Sequence, residues 1–234
     1  MRIGASILYK RQRLAQSYGY QKHRSLGDFN RIVQAMSDKH IDEIVIMNID
    51  RLGAEKSCKE TIEIIEKTNI DTPVVYGGGL PHCLQELIEA KNIERFLVSS
   101  AFICGDIVTL SKLEEVRGKQ SIIGCLPVLN ASYDGVEVFC SATESSHFLK
   151  FDKLKFLCEY VDELALIDVK SYGFRTGYNW KILNRFERMQ HKCIISGGIT
   201  SGDISQAKQY GIAGVILDNF FMHNVKVQKH YANL

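Results

Sequence analysis

Two stretches of this chain, Val74-Val-Tyr-Gly-Gly-Gly-Leu80 and Ile194-Ile-Ser-Gly-Gly-Ile-Thr200, place glycines directly after a short apolar run, about half a chain apart. The repetition extends beyond the glycines. Asp42-Glu-Ile-Val-Ile-Met-Asn-Ile-Asp50 matches Asp162-Glu-Leu-Ala-Leu-Ile-Asp-Val-Lys170 at an offset of 120 residues, and the glycine phrases and the runs ending at Phe102 and Phe221 match at 119. A period this long excludes a short-repeat solenoid and favours two joined half-barrels that together supply eight β/α units.

Short apolar, β-branched runs bounded by turn residues recur at Ile3–Leu8, Ile44–Ile49, Val74–Tyr76, Phe96–Val98, Ile122–Leu126, Leu164–Ile167, Ile194–Ile195 and Val215–Leu217. They predict eight buried strands. Stretches with apolar residues at helical spacing lie between most of them, such as Phe29–Met36 and Cys58–Thr68, and this alternation implies parallel strands joined by right-handed crossovers. Asn130–Phe139 interrupts the alternation and reads as a small hairpin after the fifth strand. The expected architecture is a single (β/α)8 TIM barrel with twofold pseudo-symmetry, its half-barrels covering about 1–118 and 119–234 of the 234 residues. Ligands of such barrels sit at the C-terminal ends of the strands, so both glycine loops should border one mouth.

The charges, 29 basic against 27 acidic, nearly cancel. No broad field favours nucleic acid or an anionic membrane, and the basic opening with Lys10, Arg11, Arg13, Lys22 and Arg24 reads as a local feature. The first apolar run is too short and too soon interrupted by charge for a signal peptide or a membrane span, so a cytoplasmic protein is expected. The seven cysteines form no CxxC pair and their number is odd, which fits reduced thiols serving as small core residues. The histidines show no metal-ligand spacing, and neither a metal nor an organic cofactor is expected.

Glycines between a strand and a helix let backbone N–H groups approach a phosphate. Each glycine loop here is followed by a second strand ending in small polar residues, Ser99-Ser100 in one half and Asp218-Asn219 in the other. Together with RIGASILYK, DEIVIMNID, YGGGL, ERFLVSSAF, DELALID, GFRTGYN, ISGGI and GVILDNFFMH, this order resembles the histidine-biosynthesis barrels, above all the cyclase subunit of imidazole glycerol phosphate synthase.

The resemblance implies a mouth that binds a substrate with a phosphate at each end and a floor that receives ammonia from a docked glutaminase subunit. It places phosphate or substrate contacts on Gly78, Gly79, Ser99, Ser100, Gly173, Gly197, Gly198 and Asn219, with Asn48 and Asp168 as further polar groups at the mouth. At the floor it places a charged ammonia gate on Arg2, Glu43, Arg95 and Glu163, with arginine at position 95 where the family has lysine, and partner docking on Glu94. The two aspartates that the family uses for proton transfer fall on Leu8 and on Leu126 or Pro127, and no acid occurs nearby in sequence. Tyr172 stands before Gly173 in the sixth loop, and a phenol is a poor base near neutral pH. Asp218 stands where the family has a small residue beside the second phosphate, and it would repel a dianion unless compensated.

Three functions follow from this pattern. One is the histidine-pathway cyclase itself. The second is a divergent relative that delivers ammonia to a sugar or other phosphorylated acceptor, with a separate ATP-dependent ligase-like enzyme, as in amidation of surface-polysaccharide sugars. The third is a non-catalytic ligand-binding or docking barrel. Retention of the floor charges with loss of both aspartates favours the second.

Overall fold

The computed structural model describes residues 1–11, 13–39, 41–50 and 54–218. In chain order the strands are β1 (Arg2–Lys10), β2 (Arg13–Tyr18), β3 (Lys22–Gly27), β4 (Glu43–Asn48), β5 (Val74–Gly77), β6 (Arg95–Val98), β7 (Ile122–Ala131), β8 (Gly135–Cys140), β9 (Ser145–Lys150), β10 (Glu163–Asp168), β11 (Cys193–Ser196) and β12 (Gly214–Leu217). The α-helices are α1 (Phe29–Ser37), α2 (Ala54–Lys67), α3 (Leu84–Glu89), α4 (Ser100–Cys104), α5 (Ile107–Arg117), α6 (Phe151–Leu157), α7 (Trp180–Leu183) and α8 (Ser201–Tyr210).

Eight strands, β1, β4, β5, β6, β7, β10, β11 and β12, pair in parallel in that order, and β12 closes onto β1 with Arg2 opposite Gly214 and Ala5 opposite Leu217. This is the (β/α)8 barrel that the repeat predicts. Each barrel strand falls on one of the apolar runs, because a parallel strand is covered on both faces and carries apolar residues throughout.

Alternation along the strands sorts side chains into two cores. Ile44 and Ile46 of β4 face the helices with Ile3, Tyr76, Phe96 and Leu166. Val45 points inward, where it packs with Val75, Leu97, Ile123, Ala165 and Ile216. The helices are positioned locally as well as by burial. Asp28 caps α1 by accepting from Arg31 N–H at 3.1 Å, and Thr200 with Asp203 forms a reciprocal capping box at the start of α8. Such caps satisfy N–H groups that the first helical turn leaves without partners.

Two excursions depart from a plain barrel. β2 continues antiparallel from β1, with Leu8 opposite Ala15 and Lys10 opposite Arg13, and β3 completes a hairpin. In the sequence this segment reads only as basic, because β3 is polar and exposed and offers no apolar alternation. The excursion after β7 extends beyond Phe139 into a second antiparallel pair, β8 with β9. The reduced-thiol expectation is corrected at one place: Cys58 on α2 and Cys83 form a disulfide with Cα atoms 6.4 Å apart. Packing of the β5 loop onto α2 brings them together across 25 residues, a proximity that local spacing does not reveal. The other cysteines are free thiols, and burial pushes that of Cys125 up to about 12. No helix among the described residues is long and apolar enough to cross a membrane.

Candidate functional site

The C-terminal ends of the first-half strands border a cavity of about 1230 Å³. Gly77 at the end of β5 lines the cavity with Gly78 and Gly79 after it, as do Ser99 and Ser100 after β6. Lys10 at the end of β1, Arg11 and His23 of β3 line it as well. Ser100 Oγ lies 3.0 Å from Ser141 Oγ, which ties the start of α4 to the segment after β8. The first-half residues placed at an anion site thus share one cavity.

The two glycine loops are built alike. Gly78 has φ +108°, and a Cβ there would lie 2.1 Å from the Asn48 carbonyl oxygen at the end of β4. Gly197 has φ +101°, and its Cβ would lie 2.3 Å from the Asp168 carbonyl oxygen at the end of β10. Only glycine fits a left-handed loop pressed this closely onto a neighbouring strand end. The match between Gly78 and Gly197 therefore has a packing cause in both half-barrels.

Their contents differ. In the second half the Asp218 carboxylate, 2% exposed, accepts from Gly173 N–H at 2.7 Å and Gly198 N–H at 3.0 Å. Asp168 Oδ1 accepts from the N–H groups of Lys170 and Ser171, which caps its own loop. Asn48 lines the first-half cavity but binds Ser57 and Thr61 of α2 through its Nδ2 and accepts from Asp50 N–H. Asn219 lies outside the described residues.

Tyr20 at the hairpin turn packs edge-on against Tyr172, ring centroids 5.2 Å apart, and against Phe139 at 6.5 Å. Tyr172 OH lies 3.0 Å from Ser6 Oγ. Burial raises the pKa of both phenols, with Asp218 adding to the shift, so neither is suited to accept a proton near neutral pH. Of the positions matching the family aspartates, Leu8 and Pro127 line the cavity. Leu126, the other position named for the second aspartate, faces the outer, helix-covered core, because inward positions on β7 are those in register with Cys125. The hairpin contributions, Tyr20 and His23 above all, were not singled out in the sequence; the cluster of basic residues after β1 was the available signal.

At the opposite end of the barrel Arg2, Glu43, Arg95 and Glu163 converge. Glu43 Oε2 pairs with Arg95 and lies 3.6 Å from Arg2 Nε, while Glu163 Oε2 pairs with Arg95 at 2.5 Å and also with Arg2. These strand-start positions point inward, so four side chains from β1, β4, β6 and β10 meet on the barrel axis. Gly4 leaves room for this: a Cβ there would stand 2.7 Å from Glu43 Cγ. Burial opposes charge on Arg2, but its hydrogen bond to Glu163 and the nearby Glu43 and Asp42 raise its pKa overall. Glu94 is exposed beside this cluster.

Among the described residues, no group of three or more His, Cys, Asp or Glu side chains is placed to hold a metal ion. An anion at the first-half loops would be bound by backbone and hydroxyl donors. Ser100→Asp is expected to reduce inorganic phosphate binding at least about tenfold, since a carboxylate replaces a donor next to a dianion. Titration calorimetry checks this, and unchanged affinity would place the anion elsewhere.

The chain matches the family described as "Histidine biosynthesis protein" over residues 7–227. It is similar to the "Putative imidazole glycerol phosphate synthase subunit hisF2" of Campylobacter jejuni, at 24% identity covering 96% of this chain and 92% of that protein. The corresponding hisF3 protein of Vibrio vulnificus is 23% identical, covering 96% and 89%, and a HisF protein of Leptospira interrogans 24%, covering 95% and 90%; both carry the same "Putative imidazole glycerol phosphate synthase subunit" designation. With a closed barrel, paired glycine loops and a family match across nearly its whole length, this chain belongs to the histidine biosynthesis protein family, among barrels similar to cyclase subunits of imidazole glycerol phosphate synthase.

Proposed function

We propose that this barrel is a divergent cyclase-subunit-like component that receives ammonia from a glutaminase and passes it through its axis to a phosphorylated, sugar-derived acceptor. A separate ATP-dependent ligase-like enzyme would activate that acceptor. The observation that carries the reading is the retained charge cluster of Arg2, Glu43, Arg95 and Glu163 at the floor, combined with Leu8 and Pro127 at the cavity where the family places aspartates. The machinery for nitrogen entry is kept while the groups for ring closure are not. Between floor and mouth the inward side chains are chiefly apolar, and an apolar interior admits neutral ammonia more readily than ammonium.

A glutaminase should dock on the floor face, where Glu94 lies exposed. Glu94→Lys is expected to weaken the complex with the glutaminase of the same organism by about two- to fivefold, as for an exposed charge pair of up to about 1 kcal/mol. Analytical ultracentrifugation or surface plasmon resonance reads this directly. Absence of any complex with the unaltered barrel would remove the amidotransferase reading and leave a docking or ligand-binding barrel.

A further inference from the structure

Residue 218 is the counterpart of Ser99 under the 119-residue repeat that also relates Gly79 to Gly198. In the first half this position carries a hydroxyl at the edge of the open cavity. In the second half it carries a carboxylate that is 2% exposed, and that carboxylate accepts from Gly198 N–H and from Gly173 N–H of the preceding loop. Backbone N–H groups converging from two loops onto one point form an anion-binding concavity. Here the anion is part of the chain. Gly198 has φ +73°, and a Cβ on it would lie 2.6 Å from Ser171 Cβ, so the loop is closely packed around its occupant.

We propose that Asp218 is a built-in occupant of the second half-barrel's anion site and thereby restricts the ligand to one with a single phosphate-bearing end. That end would sit at Gly78, Gly79, Ser99 and Ser100, and the rest of the ligand would extend beneath Lys10, Arg11 and His23 without a second phosphate on the Gly173–Gly198 side. The placement of the single phosphate rests on the proposed reading of the mouth; the occupancy of the second site by Asp218 does not. A dianion approaching the second site would meet a carboxylate already holding its donors, so both charge and lost hydrogen bonds oppose binding.

The variant Asp218→Ser copies the first-half residue and removes the carboxylate from both N–H groups. Calorimetry with inorganic phosphate is expected to show one more bound equivalent in D218S than in the unaltered protein, with an increase in thermal midpoint on phosphate addition larger than in the unaltered barrel. No additional equivalent in a folded variant would overturn the proposal. A second measurement needs no variant. The unaltered barrel should bind α,ω-alkanediol bisphosphates of graded length within about threefold of the matching monophosphates, since a second charged contact would be worth about tenfold or more. A bisphosphate preference of tenfold or more would contradict it. If the unaltered protein binds no phosphate while D218S binds one equivalent, the mouth reading fails and the role of Asp218 stands.

Discussion

Supplied with ammonium salts, the purified barrel is expected to leave the histidine-pathway intermediate uncyclised. Ring closure needs protons placed and removed, and a positioned acid or base contributes about 10²–10⁴-fold. At the positions that the resemblance assigns to such groups the cavity presents Leu8 and Pro127. His23, Glu60 and Glu144 line the same cavity from outside the barrel strands, and none stands at those strand-end positions. Asp50 accepts from Arg11 N–H at 2.7 Å and Ser57 Oγ at 2.8 Å, and burial keeps the phenols of Tyr20 and Tyr172 protonated. Loss of two such groups predicts turnover lower than an intact cyclase by about 10⁴-fold or more. Leu8→Asp with Pro127→Asp should not restore it, because a new carboxylate also needs neighbours that fix its orientation. Product formation followed by absorbance or mass spectrometry decides the matter, and turnover at ordinary enzymatic rates would contradict the account.

Legibility in the sequence followed the range of the forces involved. The barrel was readable because a long repeat and eight β-branched runs both report burial on two faces, a property written into every strand. Convergence of Arg2, Glu43, Arg95 and Glu163 was expected from the resemblance because each residue sits at a strand start, and strand starts in a closed parallel barrel meet at one end. Register was harder. Leu126 and Pro127 are neighbours on β7, yet one enters the outer core and the other the cavity, a distinction fixed by closure of the sheet rather than by local pattern.

The remaining gaps are long-range. The β2–β3 hairpin is held by continuation of β1 and by four buried residues, Leu14 to Ser17, not by an apolar alternation in β3. The Cys58–Cys83 link depends on how α2 packs against the β5 loop. The sequence shows that Asp218 is misplaced for a phosphate site; it does not show that two loop N–H groups turn toward it, since that direction arises from the loops after β10 and β11 together.

The floor carries the second large effect. Glu163 accepts from both arginines, so Glu163→Gln removes the charge that holds Arg2 and Arg95 across the axis while keeping similar volume. Arg95 would still pair with Glu43, which is only 3% exposed and stays buried beneath it. The glutamine side chain keeps an acceptor oxygen for one arginine, so the loss is about one charge-assisted hydrogen bond, roughly 1.5–3 kcal/mol, which should not unfold the barrel. Glutamine-dependent transfer is expected to fall at least about tenfold, and ammonium-dependent transfer to change little, because free ammonium reaches the acceptor through the mouth.

The most direct test of ammonia delivery follows nitrogen through the reconstituted complex of barrel, glutaminase and ligase-like enzyme. Glutamine labelled with ¹⁵N in its amide is supplied together with an excess of unlabelled ammonium, and the isotope content of the amidated sugar is measured by mass spectrometry. Passage along the barrel axis predicts that the product carries the glutamine label well above its share of the mixed ammonia pool, and that Glu163→Gln lowers the labelled fraction toward that share. Product labelled only in proportion to the mixed ammonia pool, with or without the substitution, would contradict it.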